Sequence, residues 1–268
     1  MELSLHTICA RYSNLKTDIR VAKETGYAAI EPTTTKLERY LDAGYRAEEL
    51  LPALGSLKVD MISSFEAIES QDPDKMRKRC RRLCEAAQTL GCSAFQVVAL
   101  DGLKHLPWPE MRTAFAASLR DLADIAAPFG VWLALEPVAF APLKTLSQAI
   151  EVIDAAQREN IGLNIDTFHI WAGGTPCEEV ARLDSDKIVV VHLSDATPRR
   201  GEQWSDADRG VFPGEGIIPL EEGIAAIRST GYEGAWAIEM ISDYYWEWDP
   251  WVLAREARAR AEALLTTA

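Results

Sequence analysis

The chain has 268 residues, 28 Lys+Arg against 41 Asp+Glu for a formal net charge of −13, and 48% hydrophobic positions, a composition that excludes disordered, collagen-like and disulfide-scaffold readings. The acidic balance repels polyanions and argues against nucleic acid and anionic membrane surfaces as partners, leaving small neutral or metal-bound substrates. Met1–Ala10 carries no signal-peptide pattern and no apolar run has the length of a membrane span, while the five cysteines are odd in number, with Cys80 and Cys84 one helical turn apart, and read as free thiols of a cytoplasmic protein.

In chain order, apolar runs of strand length lie at Leu3–Cys9, Ala28–Glu31, Val59–Ser63, Ala94–Ala99, Trp132–Pro137, Ile161–Asp166, Ile188–Leu193 and Ala235–Ile241. Segments of helical period separate them, with stripes Met76/Cys80/Leu83/Ala87/Leu90, Phe115/Leu119/Leu122/Ile125 and Leu146/Ile150/Ile153, each able to cover a sheet. Gly26, Gly91, Gly130 and Gly231 stand just before the next strand, where a left-handed residue ends a helix. Such β-α alternation closes most simply into a single (β/α)8 TIM barrel, with residues 1–268 as one domain. A doubly wound open sheet is the second reading. Against it, no Gly-x-Gly-x-x-Gly follows the first strand, and polar residues end many strands rather than marking one switch point. The irregular stretch from Ser194 to Pro219 follows the seventh strand and is expected at the barrel mouth as a lid or binding loop.

In a barrel the carboxyl ends of the strands converge, so residues distant in sequence can meet there. Strands five to eight end around Glu136, Asp166, His192 and Glu239. A charge at the end of an apolar strand costs several kcal/mol unless it is paired or metal-bound. Any one of the four could be a helix cap, half of an ion pair or a core histidine, but together they offer three oxygens and one nitrogen to one divalent ion. That set suits Mn²⁺ first, then Mg²⁺, Co²⁺ or Zn²⁺. His169 is expected to bind substrate or move a proton, its alternative being a solvent-facing helix N-terminal residue. His6 is a further substrate-lining candidate and Glu31 a weaker one, while His105, beside Trp108, is expected to be structural. Arg209 is the candidate clamp for substrate oxygens because its guanidinium donates in a fixed fork; Arg199 and Arg200 are expected in solvent. The aromatic run Tyr244–Trp251 fits a pocket wall or a subunit interface equally, so a homo-oligomer stays open.

These residues carry a resemblance over nearly the whole chain. Leu133-Ala134-Leu135-Glu136, Asp166-Thr167-Phe168-His169, His192, Asp208-Arg209 with Phe212-Pro213-Gly214-Glu215-Gly216, and Ile238-Glu239 resemble the xylose-isomerase-like barrel superfamily, and within it the inosose isomerases. The resemblance implies that Glu136, Asp166, His192 and Glu239 bind one divalent metal and that His169 and Arg209 line the substrate site. AP endonucleases of this superfamily use many histidines and a basic surface, whereas only four histidines and a negative charge are present here. The 3-dehydroshikimate dehydratases usually carry an Arg after strand three, where this chain has Ser63-Ser64-Phe65-Glu66.

The expected chemistry is metal-assisted isomerisation or epimerisation of an α-hydroxyketone polyol through an enediolate, with Glu136, Glu239 and His169 as proton-transfer groups. A dehydratase-like lyase is the alternative, and a non-catalytic metal-binding barrel is the alternative of another class.

Overall fold

The computed structural model describes residues 2–69 and 72–267. Its parallel strands are β1 (Glu2–His6), β2 (Ala29–Glu31), β3 (Lys58–Val59), β4 (Ile62–Glu66), β5 (Ala94–Val98), β6 (Trp132–Glu136), β7 (Ile161–Asp166), β8 (Ile188–Leu193) and β9 (Ala235–Ile238). They stand in the order β3-β2-β1-β9-β8-β7-β6-β5-β4. The two ends of that order meet where the Ser63 N–H donates to the Pro32 carbonyl at 2.9 Å, beside a Thr33–Ser63 bridge. The result is the expected (β/α)8 barrel, with the third stave in two pieces.

Three strands differ from the sequence reading by more than one residue. The run Val59–Ser63 is interrupted at Asp60, whose Oδ1 accepts the next backbone N–H, of Met61, at 3.1 Å and the Ser4 hydroxyl at 3.0 Å. A side chain bonded to its own backbone competes with the ladder. The first strand stops at His6 rather than Cys9, because the chain winds into a 3₁₀ turn, Thr7–Ala10, capped by His6. The last strand stops at Ile238, which puts Glu239 one residue past it.

Alternation along each strand sorts side chains into two cores. Met61, Ala94, Ala134, Val190 and Ala237 fill the barrel axis. The opposite faces, such as Leu133, Leu135, Ile165 and Val191, pack beneath the helices. The helix Pro73–Leu90 buries Met76, Cys80, Leu83, Ala87 and Leu90, as its stripe requires, and the helix Trp108–Ala126 buries Phe115, Leu119 and Leu122, with Ile125, the fourth residue of that stripe, half-buried. The helix Leu146–Ala156 is rotated from expectation. It buries Leu146, Ala149, Val152 and Ala156, leaving Ile150 and Ile153 half-buried on its flank. Small Ala149 and Ala156 suit a close approach to the sheet, and the bulkier isoleucines remain for the seam between helices. Gly26, Gly91, Gly130 and Gly231 all lie at φ between +69° and +87°. Among the described residues no helix is long and apolar enough to cross a membrane.

Candidate metal centre and active site

Two residues beyond the side chains of the barrel axis, every stave carries a polar residue on the same inward face. The register places His6 beside Glu31, and His192 beside both Asp166 and Ala237. The ring reads His6, Glu31, Ser63, Gln96, Glu136, Asn164, His192 and Glu239, with Asp166 one step further out on β7. All nine side chains are buried or nearly so.

His192 is the hub of this ring. Its Nδ1 lies 2.9 Å from Glu239 Oε2, 3.5 Å from Glu136 Oε1 and 3.9 Å from Asp166 Oδ2. Its Nε2 lies 2.8 Å from Glu31 Oε1, which also accepts the Ser63 hydroxyl. Glu136 is oriented from both sides: Gln96 Nε2 donates to Oε2 and Asn164 Nδ2 to Oε1, each at 2.8 Å. Gln96 Oε1 in turn accepts the N–H of Ser64, a residue held at φ +66° where β4 bends. His6 accepts the Ile8 N–H on Nδ1 at 3.1 Å, so its hydrogen sits on Nε2, a buried atom without a hydrogen-bond partner, 3.5 Å from Glu31 Oε1 and 3.9 Å from Glu239 Oε1.

The loop after β8 delivers Arg209. Its guanidinium donates to Asp166 Oδ2 at 3.0 Å and to Glu239, and lies 2.6 Å from His169 Nε2. Gly210 lets the loop reach this depth, since a Cβ there would stand 2.8 Å from the Ile241 carbonyl. Buried Asp195 pins the rest of the loop, accepting the N–H groups of Ala196, Gly214, Gly216 and Ile218 at 2.8–3.2 Å. His169 lies in the short helix Thr167–Ala172, capped by Asp166, and is buried between Phe140 and Phe168 with ring centroids 5.4 and 5.1 Å away. Trp204 packs on Phe168 and Trp171.

Burial sets the proton affinities. It pushes Glu136 up to about 7 and raises Asp166 despite the neighbouring Arg209. Burial acts on Glu239 in the same sense, but Arg209, His6 and His192 hold it well below the ordinary carboxylate value. Burial would lower His192, yet Glu31 and Glu239 keep it well above the usual imidazole value. His6 and His169 are lowered by burial.

The donor set fits a divalent cation. One ligand atom each from Glu136, Asp166, His192 and Glu239 lies within 4.8 Å of the others, and all four residues are buried. Three carboxylates packed this closely out of water repel one another unless a cation joins them. Oxygen-rich coordination with one imidazole suits Mn²⁺, Mg²⁺, Co²⁺ or Zn²⁺.

The structure thus gathers Glu136, Asp166, His192, Glu239, His169, Arg209 and His6 at one end of the barrel. His169 is not the solvent-facing residue of the alternative reading. His105 is exposed and has no part in the core, while Arg199 and Arg200 are exposed as expected. Of the aromatic run, Trp246 donates to the Ile8 carbonyl at 2.7 Å and Tyr245 packs on Phe212 at 4.5 Å, so these rings brace the mouth. Sequence reasoning passed over Ser63, Gln96, Asn164 and Asp195 and gave Glu31 little weight. The first three had a signal: each stands two residues beyond Met61, Ala94 or Gly162, on the inward face.

Residues 19–266 match the family described as xylose isomerase-like TIM barrel. An inosose isomerase of Bacillus velezensis is 28% identical over 265 residues, 95% of this chain and 93% of that protein. One of Bacillus subtilis is 28% identical over 242 residues, 88% and 87% of the two chains. The crystal structure of the IolI protein with a bound zinc atom superposes with a TM-score of 0.93 at 26% identity, covering 100% of this chain and 99% of that one.

Proposed function

The chain belongs to the xylose isomerase-like TIM barrel family, and from that premise we propose that it is a divalent-metal-dependent isomerase or epimerase of an α-hydroxyketone polyol, with an inosose the first substrate to try. The observation that carries this reading is the convergence of Glu136, Asp166, His192 and Glu239 in one buried cluster. Inosose isomerases align over most of the chain, and a similar fold holds zinc. Mn²⁺ is the first ion to test because carboxylates outnumber nitrogen in the set.

A divalent ion held by these four side chains supplies Lewis acidity, polarising adjacent carbonyl and hydroxyl oxygens and making the intervening C–H more acidic. Glu136 and Glu239 project from staves three apart, so they address the substrate from different sides. One removes the proton from the carbinol carbon. The other, or His169, returns a proton to the neighbouring carbon or to the opposite face. Arg209 and His169, locked together beside Asp166, orient substrate oxygens, and His6 lines the same space. The ring of buried side chains and the pinned loop exclude water from the reacting carbons.

Dehydration of a carboxylate substrate ranks second. The end of β4 presents exposed Glu66, where an anionic substrate would require a cation, so a neutral polyol is favoured. A non-catalytic barrel accounts poorly for a complete ligand set surrounded by oriented acids and imidazoles.

Incubation of the purified protein with an inosose in deuterated water tests the proposal. Deuterium is expected at the carbon next to the carbonyl, together with an isomerised product, and chelation should abolish both until Mn²⁺ is restored. Undiminished turnover after complete metal removal contradicts the reading.

A further inference from the structure

His192 has two ring nitrogens and two sets of acids. Nδ1 faces Glu136, Asp166 and Glu239, with Asn164 Nδ2 3.0 Å away, whereas Nε2 faces Glu31 and, beyond it, His6; both sets have the spacing to hold a cation. A neutral imidazole has one lone pair, so it can serve only one of them. Which one is decided by where the ring hydrogen goes.

We propose that Glu31, buttressed by Ser63, is a positioning residue that keeps the His192 hydrogen on Nε2, presents the Nδ1 lone pair to the three-carboxylate cluster, and so sets that cluster's affinity for a divalent ion. The inference rests on the metal-centre reading above.

Glu31 Oε1 is 2.8 Å from His192 Nε2, a distance at which a carboxylate accepts an N–H. The same oxygen takes the Ser63 hydroxyl, and Ser63 is the residue that closes the barrel through the Pro32 carbonyl. Glu31 is therefore anchored at the seam of the cylinder, with no exposure to solvent. The competing trio of His6, Glu31 and His192 lacks a donor, because His6 spends its Nδ1 lone pair on the Ile8 N–H and turns an N–H toward Glu31. A carboxylate behind a ligating imidazole fixes its tautomer and orientation and raises its basicity, and loss of such a partner typically weakens metal binding by about 10–100-fold.

The test is a zinc titration of metal-free wild type, Glu31→Ala and Glu31→Gln, each competed against a chromophoric chelator, with ¹⁵N spectra of the histidine ring nitrogens recorded on the zinc-loaded proteins. Wild type should bind one ion per chain, with His192 metal-bound at Nδ1 and protonated at Nε2. Glu31→Ala should bind about 10–100-fold more weakly, and Glu31→Gln, which keeps an acceptor oxygen of the same shape, should recover part of that loss. Should Glu31→Ala fail to fold, the near-isosteric Glu31→Gln and the nitrogen spectra still decide. Affinities of both variants within threefold of wild type, Nε2 as the bound nitrogen, or two ions per chain would overturn the role of Glu31 alone. A wild type that takes up no zinc would overturn the metal-centre reading itself.

Discussion

Glu136 and Glu239 have opposite surroundings despite their shared cluster. Two neutral donors, Gln96 and Asn164, hold Glu136, whereas Glu239 leans on Arg209 and His192. Under the proposed mechanism each carboxylate has a proton-transfer task as well as a ligand's, so Glu239→Gln should reduce kcat by about 10²–10⁴-fold with zinc or manganese still in excess. Steady-state kinetics of that variant check it, and a kcat within fivefold of wild type would contradict the role. The cysteines supply an independent check on burial. Cys9 and Cys92 are pushed up to about 12 by burial, while Cys177 is half-buried. Since the thiolate is the reactive form, a thiol reagent at pH 8 should titrate Cys177 first, and Cys9 and Cys92 only as the protein unfolds. Rapid native reaction at Cys9 or Cys92 would show that the barrel opens there. The acids of the cluster were readable from sequence because an acid ending an apolar strand is conspicuous. Gln96 and Asn164 were not, since neutral amides within strands attract no notice until the inward face is known.

At the scale of elements, the loop between β8 and the helix Leu220–Ser229 shows how an irregular segment acquires one conformation. Asp195 gathers four backbone N–H groups, and a Cβ on Gly216 would stand 2.2 Å from its Oδ1, so the turn closes directly onto the carboxylate. Hydrogen bonds to a charged group contribute about 1.5–3 kcal/mol each. Even with water replacing some of them, Asp195→Ala should lower stability by about 2 kcal/mol or more and make the 194–219 stretch the first site of proteolysis. Urea midpoints and mapping of the first cleavage check this; an unchanged midpoint with cleavage elsewhere would contradict it. The stretch was recognisable in the sequence as a mouth loop from its Gly, Pro and Asp content, but the acid that pins it was hidden at the end of a strand-like run. The rotation of the helix Leu146–Ala156 has a similar origin. Two adjacent stripes satisfy a helical period there, and the choice between Ile150 and Ala149 as the inner residue depends on how closely the sheet must be approached.

For the whole molecule, the barrel turns periodicity into a site. Met61, Ala94, Ala134, Val190 and Ala237 pack along the axis, and two residues beyond the axial position every stave carries a polar side chain, so strand alternation aims His6, Glu31, Ser63, Gln96, Glu136, Asn164, His192 and Glu239 inward, in a staggered ring because the register sets Gln96 beside Ala134, Asn164 beside Val190 and His192 beside Ala237. The closed sheet was foreseeable from the spacing of strands and stripes, because few topologies accept eight successive βα units. The break at Asp60 was not, as it depends on Ser4 across the barrel interior. The most direct measurement of the central claim is anomalous X-ray diffraction from crystals of the full chain soaked in Mn²⁺. One anomalous peak per chain is expected, within bonding distance of Glu136, Asp166, His192 and Glu239. A peak elsewhere, or none at a Mn²⁺ concentration that supports turnover, would contradict the account.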